Sequence, residues 1–292
     1  MTPIRLQTRI LFAHQLVTPM RTPILTYHAV NVAGTEYAGN DHVALAADLR
    51  LIDDLGLRVV PLHWLVEQRL GIVERNLTHT VALTCDDGTD LDFYDLDLGG
   101  HGVQRSFYNV MRDFIAERGE HAQPDLHLTC FVIASAQARE QMDRHCLESR
   151  SWMNESWWGA AQATGRIAIE NHSWDHNHAE VRLPGIDGMT RGSFLEVTNA
   201  ARADAEIIDA ARYINERIAP ARTSLFCYPF GHVPDYLRSD YLPNRIDQHG
   251  MHAAFGDGAE PMTMTSERWN LPRYICGWHW HSPDELRAIL ER

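Results

Sequence analysis

The chain has 292 residues, with 26 basic and 39 acidic side chains and a formal net charge of −13, which argues against a nucleic-acid binder, because phosphate backbones are held by clustered cations. All 26 cations are arginine, so chemistry that needs a lysine, such as Schiff-base formation or the phosphate-binding loop of nucleotide hydrolases, is excluded as well. At 45% apolar and 22% charged residues the composition is that of an ordinary globular protein, and with no linker or internal repeat in view we read residues 1–292 as one domain.

At the N-terminus Arg5 and Arg9 precede an apolar stretch that His14 and Gln15 interrupt. Neither a signal peptide nor a membrane span is read there, no long apolar run follows, and the default localisation is cytoplasmic. Short β-rich apolar runs at 24–27, 58–60, 80–84, 127–133, 166–170, 224–228, 252–255 and 273–275 predict strands. Between them, Leu45, Leu49 and Ile52 recur at helical spacing, as do Phe107, Val110, Met111 and Phe114, and Ala203, Ile207, Ile208, Ala211 and Ile214. Ser193 is expected to start the long helix and Ser282 the last one. Alternating strands and helices imply parallel pairing, and their number implies an α/β fold, a distorted (β/α) barrel of about seven strands. In such a barrel, polar residues just after a strand are the site candidates. The five cysteines, Cys85, Cys130, Cys146, Cys227 and Cys276, are scattered and lack a C-x-x-C pair, so neither a disulfide framework nor a thiolate zinc site is expected.

Three strand exits carry chemistry. The run ending in Thr84-Cys85 passes into Asp86-Asp87-Gly88, either an ordinary D-G turn or a pair of carboxylates at a barrel mouth. The run ending in Glu170 passes into Asn171-His172-Ser173-Trp174-Asp175-His176. One helical turn there would put His172 and His176 on one side; with a carboxylate they would leave metal positions open, and the alternative is a pair of solvated loop histidines. The third exit is Tyr228-Pro229-Phe230-Gly231.

Together these segments resemble the polysaccharide deacetylase family, carbohydrate esterase family four, with its nodulation-type chitooligosaccharide deacetylase homology domain. Its T-F-D-D-G motif is matched by Thr84-Cys85-Asp86-Asp87-Gly88, its histidine motif by His172-Ser173-Trp174-Asp175-His176, and its A-T-F-F-V strand by Leu128-Thr129-Cys130-Phe131-Val132. The arginine of the family's R-x-P-Y motif is missing from Cys227-Tyr228-Pro229-Phe230. The late leucine-x-histidine motif is not recognisable near the C-terminus, and Ile24-Leu25-Thr26-Tyr27-His28 instead resembles the start of the circularly permuted exopolysaccharide and biofilm deacetylases.

The resemblance implies that Asp87, His172 and His176 bind one divalent transition metal, zinc foremost, with cobalt, nickel or manganese as alternatives. It implies Asp86 as general base, the Phe230 N–H as an oxyanion donor and the Phe230 ring as a wall of the acetyl pocket. Arg273 is the candidate replacement for the missing arginine, with a surface or structural ion pair as its alternative. His28, at a strand end, is expected to be the general acid, with His279 and His281 as rivals. Trp174 and Tyr228 are expected to bind substrate, and the other tryptophans that could offer sugar-stacking faces, Trp157, Trp158, Trp278 and Trp280, are read as packing residues. Residues 91–119 look longer than the usual connection and are read as a substrate flap or a subunit contact, compatible with a homo-oligomer. The implied reaction is deacetylation of N- or O-acetylated sugars. Hydrolysis of a non-sugar amide or cyclic imide, and a catalytically inactive carbohydrate-binding protein, are the other readings.

Overall fold

The computed structural model describes residues 20–98, 102–182 and 191–292. The stretch with Arg5, Arg9, His14 and Gln15 lies outside these residues, as do residues 99–101 of the long connection. Eight short strands fall on the eight predicted runs: β1 Ile24–Tyr27, β2 Arg58–Val59, β3 Thr80–Cys85, β4 Leu128–Val132, β5 Ile167–Asn171, β6 Leu225–Cys227, β7 Ala253–Phe255 and β8 Tyr274–Ile275. Seven pair in parallel in the order β7-β6-β5-β4-β3-β1-β8, and β2 pairs with the start of β3. Every residue of β1, β3 and β4 is buried, as expected for parallel strands covered on both faces.

The sheet curls until its ends approach each other. A parallel bridge joins Phe255 of β7 to Leu271, three residues before β8. Closure rests on such short contacts because β7 and β8 are only three and two residues long, so the barrel is distorted rather than evenly closed.

Helices cover the outside of the sheet. The Asp41–Asp54 helix buries Leu45, Leu49 and Ile52, and the Phe107–Arg118 helix buries Val110, Met111 and Phe114, in one apolar cluster with β3 and β4. Asn40, Ser106 and Ser282 each accept a backbone N–H at a helix start, satisfying donors that would otherwise be unpaired. Ser193 does not start the long helix. It caps the short turn Phe194–Glu196, and Asn199 caps the helical run over 200–218 by accepting the Arg202 N–H.

The long connection contributes both a core helix and a small surface pairing. The Phe107–Arg118 helix is a crossover packed into the core, and among the described residues Leu96–Asp97 pairs with Val103–Gln104 ahead of it. That pairing, and the antiparallel contact of Arg21–Thr22 with Met262–Thr263, are too short to leave a period in the sequence. Among the described residues no helix is long and apolar enough to cross a membrane.

Candidate active site

At the end of β3 the backbone turns sharply. The Asp86 N–H continues the ladder by donating to Tyr27 O at 3.2 Å, after which Asp87 (φ 76°) and Gly88 (φ 78°) both enter the left-handed region. Gly88 is required there, since a Cβ would lie 2.6 Å from Val132 Cγ1. The turn sends the two adjacent carboxylates to different partners.

Asp86 faces inward, to Arg273 just before β8. The guanidinium donates from Nη1 to Oδ1 at 2.8 Å and from Nη2 to Oδ2 at 2.9 Å, and its Nε donates to Gly256 O at 3.0 Å. Both residues are buried, and the two-point geometry is that of the stronger class of charge-assisted hydrogen bonds. Burial by itself would raise the Asp86 pKa, but the Arg273 charge, aided by His172, holds the carboxyl well below the usual carboxylate range. Arg273 therefore holds Asp86 in a buried pair and not a surface one.

Asp87 is less buried and faces the two histidines. Its Oδ1 lies 3.7 Å from His172 Nε2 and 3.6 Å from His176 Nε2. These separations are long for direct hydrogen bonds. They suit a shared cation, since ligands about 2.1 Å from one tetrahedral ion lie roughly 3.4 Å apart.

His172 Nδ1 sits 3.0 Å from Cys227 O. A carbonyl only accepts, so this contact places the proton on Nδ1 and leaves the Nε2 lone pair for the cluster. Burial lowers the pKa of both histidines, and in His176 the His172 and His178 charges lower it further. Both rings are therefore neutral near pH 7, the form that ligates metal. Asp86, His172 and Cys227 also approach one another closely, but the Asp86 oxygens are already engaged by Arg273.

The segment after β5 is not the helical turn expected from its spacing. Ser173, His176 and Asn177 have positive φ. Side chains take the local N–H groups: Asn171 Oδ1 accepts from Ser173, Ser173 Oγ from His176 and Asp175 Oδ1 from Asn177. Short polar side chains compete with helical hydrogen bonds in this way, and here the competing turn still brings both imidazoles together, with centroids 4.9 Å apart.

Phe230 also has a positive φ (59°), and its ring, 42% exposed, stands edge-on to His176 with centroids 4.2 Å apart. A cavity of about 560 Å³ opens over Asp86, Asp87, His172, His176, Phe230 and Arg273. His28 lines it as well, its N–H held by Asp41 Oδ2 at 2.7 Å. The rival histidines are engaged elsewhere. His279 Nδ1 accepts the Ile275 N–H and its ring meets Tyr274, while exposed His281 pairs with Glu285.

Two residues expected to bind substrate do not line this cavity. Tyr228 is fully buried and donates its hydroxyl to Trp269 O at 2.8 Å, because its side chain enters the packing behind the strand exit. Trp174 packs edge-on against Tyr213 and lines a different surface depression. Trp278, beyond β8, is expected to pack but lines the cavity instead, and the sequence analysis does not single out Asp257, just beyond β7, or Met142 and Met153, which form an apolar wall. Asp257 follows a strand and satisfies the strand-exit rule, but it stands alone in its segment.

Several known proteins resemble this chain. A family model described as polysaccharide deacetylase matches residues 74–253. No curated protein matches the sequence. The fold is similar to that of the Streptococcus pyogenes deacetylase PplD, solved in complex with acetate, at 17% identity and a TM-score of 0.61, covering 94% of this chain and 100% of that one. It is also similar to IcaB from Ammonifex degensii, at 17% identity and a TM-score of 0.56, covering 93% and 97% of the two chains. For the BpsB deacetylase domain from Bordetella bronchiseptica the identity is 12% and the TM-score 0.53, with 88% and 96% covered.

Proposed function

The chain belongs to the polysaccharide deacetylase family, and from that premise we propose that it is a metal-dependent hydrolase that removes acetyl groups from N- or O-acetylated sugars. One observation carries the reading: two adjacent carboxylates are made unlike by their partners, Asp86 by Arg273 and Asp87 by His172 and His176.

Asp87, His172 and His176 would hold the metal, with zinc foremost and cobalt, nickel or manganese as alternatives. A cation held there would supply an acidified water and a polarised acyl carbonyl. Asp86 takes the proton from that water. A carboxylate held below its ordinary range is a weak base toward bulk water, so its role requires a water already made acidic. Arg273 fixes the direction of the Asp86 oxygens and keeps them ionised. The Phe230 N–H holds the developing oxyanion, and its ring closes one side of the acyl site. His28 protonates the departing amine or alcohol.

A second reading, hydrolysis of a non-sugar amide, is favoured by the apolar wall of Met142 and Met153. A panel of N-acetylated sugars, O-acetylated sugars and simple acetamides, each scored for acetate release by metal-loaded protein, separates the two. Turnover confined to the sugars supports the first reading. Turnover confined to the simple acetamides replaces it with the second.

A further inference from the structure

Trp278 is 78% exposed, whereas Trp157, Trp158 and Trp280 are fully buried. Its indole sits on the rim of the catalytic cavity. We propose that Trp278 and Asp257 form a pyranose subsite at that rim, the indole serving as a stacking face and the carboxylate accepting hydrogen bonds from sugar hydroxyls. This proposal rests on the sugar deacetylase reading.

The turn that carries Trp278 is braced from inside the fold. Gly277 N–H donates to Trp280 O at 2.9 Å, Trp278 N–H donates to Ile275 O at 3.2 Å, and the His279 ring accepts the Ile275 N–H at 2.7 Å. Trp280, two residues on, is locked in the core, edge-on to Tyr27 and with its Nε1 3.3 Å from Asp48 Oδ2. One tryptophan anchors the turn while its neighbour is displayed. A large apolar ring held in water by a braced turn loses little further freedom on binding, which is the condition for an efficient platform. The C–H face of a pyranose matches such a ring, and sugar hydroxyls need acceptors beside it.

Asp257 supplies the acceptor. It is exposed beyond β7 and lies directly against Gly231, where a Cβ would come within 2.4 Å of its carboxylate. A glycine at 231 therefore makes room for this carboxylate next to Phe230. The nearby Arg273 fork is committed to Asp86, which leaves the Asp257 oxygens to the cavity. Asp257 and Trp278 thus border one opening that also holds Asp86 and His28.

The test compares an N-acetylglucosamine pentamer with a ring-free acetate ester, using metal-loaded protein. In Trp278→Ala the ratio of kcat/KM for the pentamer to that for the ester should fall about tenfold, through KM, the scale of losing one stacked aromatic contact. Trp278→Phe should recover most of that loss, and Asp257→Asn should raise the pentamer KM severalfold. In wild-type protein the pentamer should also shift tryptophan emission to the blue, a shift absent from Trp278→Phe. A wild type that prefers the ester would sink the sugar reading and the subsite with it. A wild type that prefers the pentamer, together with an unchanged KM and an unchanged emission shift in the variants, overturns the subsite alone. A Trp278→Ala protein that changes from dimer to monomer in sedimentation would also overturn it, assigning the indole to a contact between copies of the chain.

Discussion

Arg273 and Asp86, 187 positions apart in the sequence, meet as a buried two-point ion pair at the mouth of the barrel. Removing one partner leaves the other charged and unpaired in the interior, which typically costs about 3–5 kcal/mol. Arg273→Gln should lose stability on that scale in chemical denaturation. Its effect on pH dependence has a definite sign. Arg273 lowers the Asp86 pKa and burial raises it, so without Arg273 the acid limb of the kcat/KM profile moves to higher pH. Arg273→Lys keeps the charge but not the fork and should move it less. Wild-type stability together with a wild-type profile in Arg273→Gln would mean that the pair does not hold the base.

Elemental analysis of wild-type protein should find about one divalent metal per chain, on the ligand chemistry of two imidazoles and a carboxylate. Asp87→Ala and His172→Ala should each fall far below stoichiometry, whereas Asp257→Asn should keep its metal. Full metal content in Asp87→Ala would refute the ligand set.

His28→Ala should fold and load metal normally but lose on the order of a hundredfold in turnover, the usual scale for a missing general acid. Full activity in that variant, with His279→Ala crippled, would move the acid to the turn after β8.

Asp92, buried below the site, accepts the Thr89 N–H at 2.6 Å. Burial raises its pKa, the hydrogen bonds from Thr89 and Cys85 oppose this, and the Asp87 and Asp86 charges add to the rise, leaving it at about 8. The folded state therefore keeps a proton that the unfolded chain releases near the ordinary carboxylate value of about 4. Its stabilising contribution is fully present below that value and is lost as pH rises to about 8, with a slope of at most about 1.4 kcal/mol per pH unit. Asp92→Asn removes the titration, so its stability relative to wild type should increase from pH 5 to pH 8 and level off above. A difference independent of pH across that range would contradict the assignment.

The strands were legible because parallel strands covered on both faces leave continuous apolar runs. Asp86, Asp87, His172 and His176 were legible because each pair is compact in sequence and follows a strand. The details that depend on facing were not. Spacing alone suggested a helical turn for His172 and His176, while Asn171, Ser173 and Asp175 built a different one from side-chain hydrogen bonds. Trp174 and Trp278 both follow strands, but only the packing of Trp174 against Tyr213 reveals which indole faces the cavity. Tyr228 sits beside the site in sequence and behind it in space.

The most direct test of the account is acetate release from an N-acetylglucosamine oligomer by three preparations: protein stripped with a chelator, the same protein restored with zinc, and zinc-loaded Asp86→Asn. The account predicts activity only in the restored wild type, with Asp86→Asn retaining its metal and losing most of its turnover, since the amide cannot take up the water's proton. Equal rates before and after stripping, or an undiminished rate in Asp86→Asn, would contradict it.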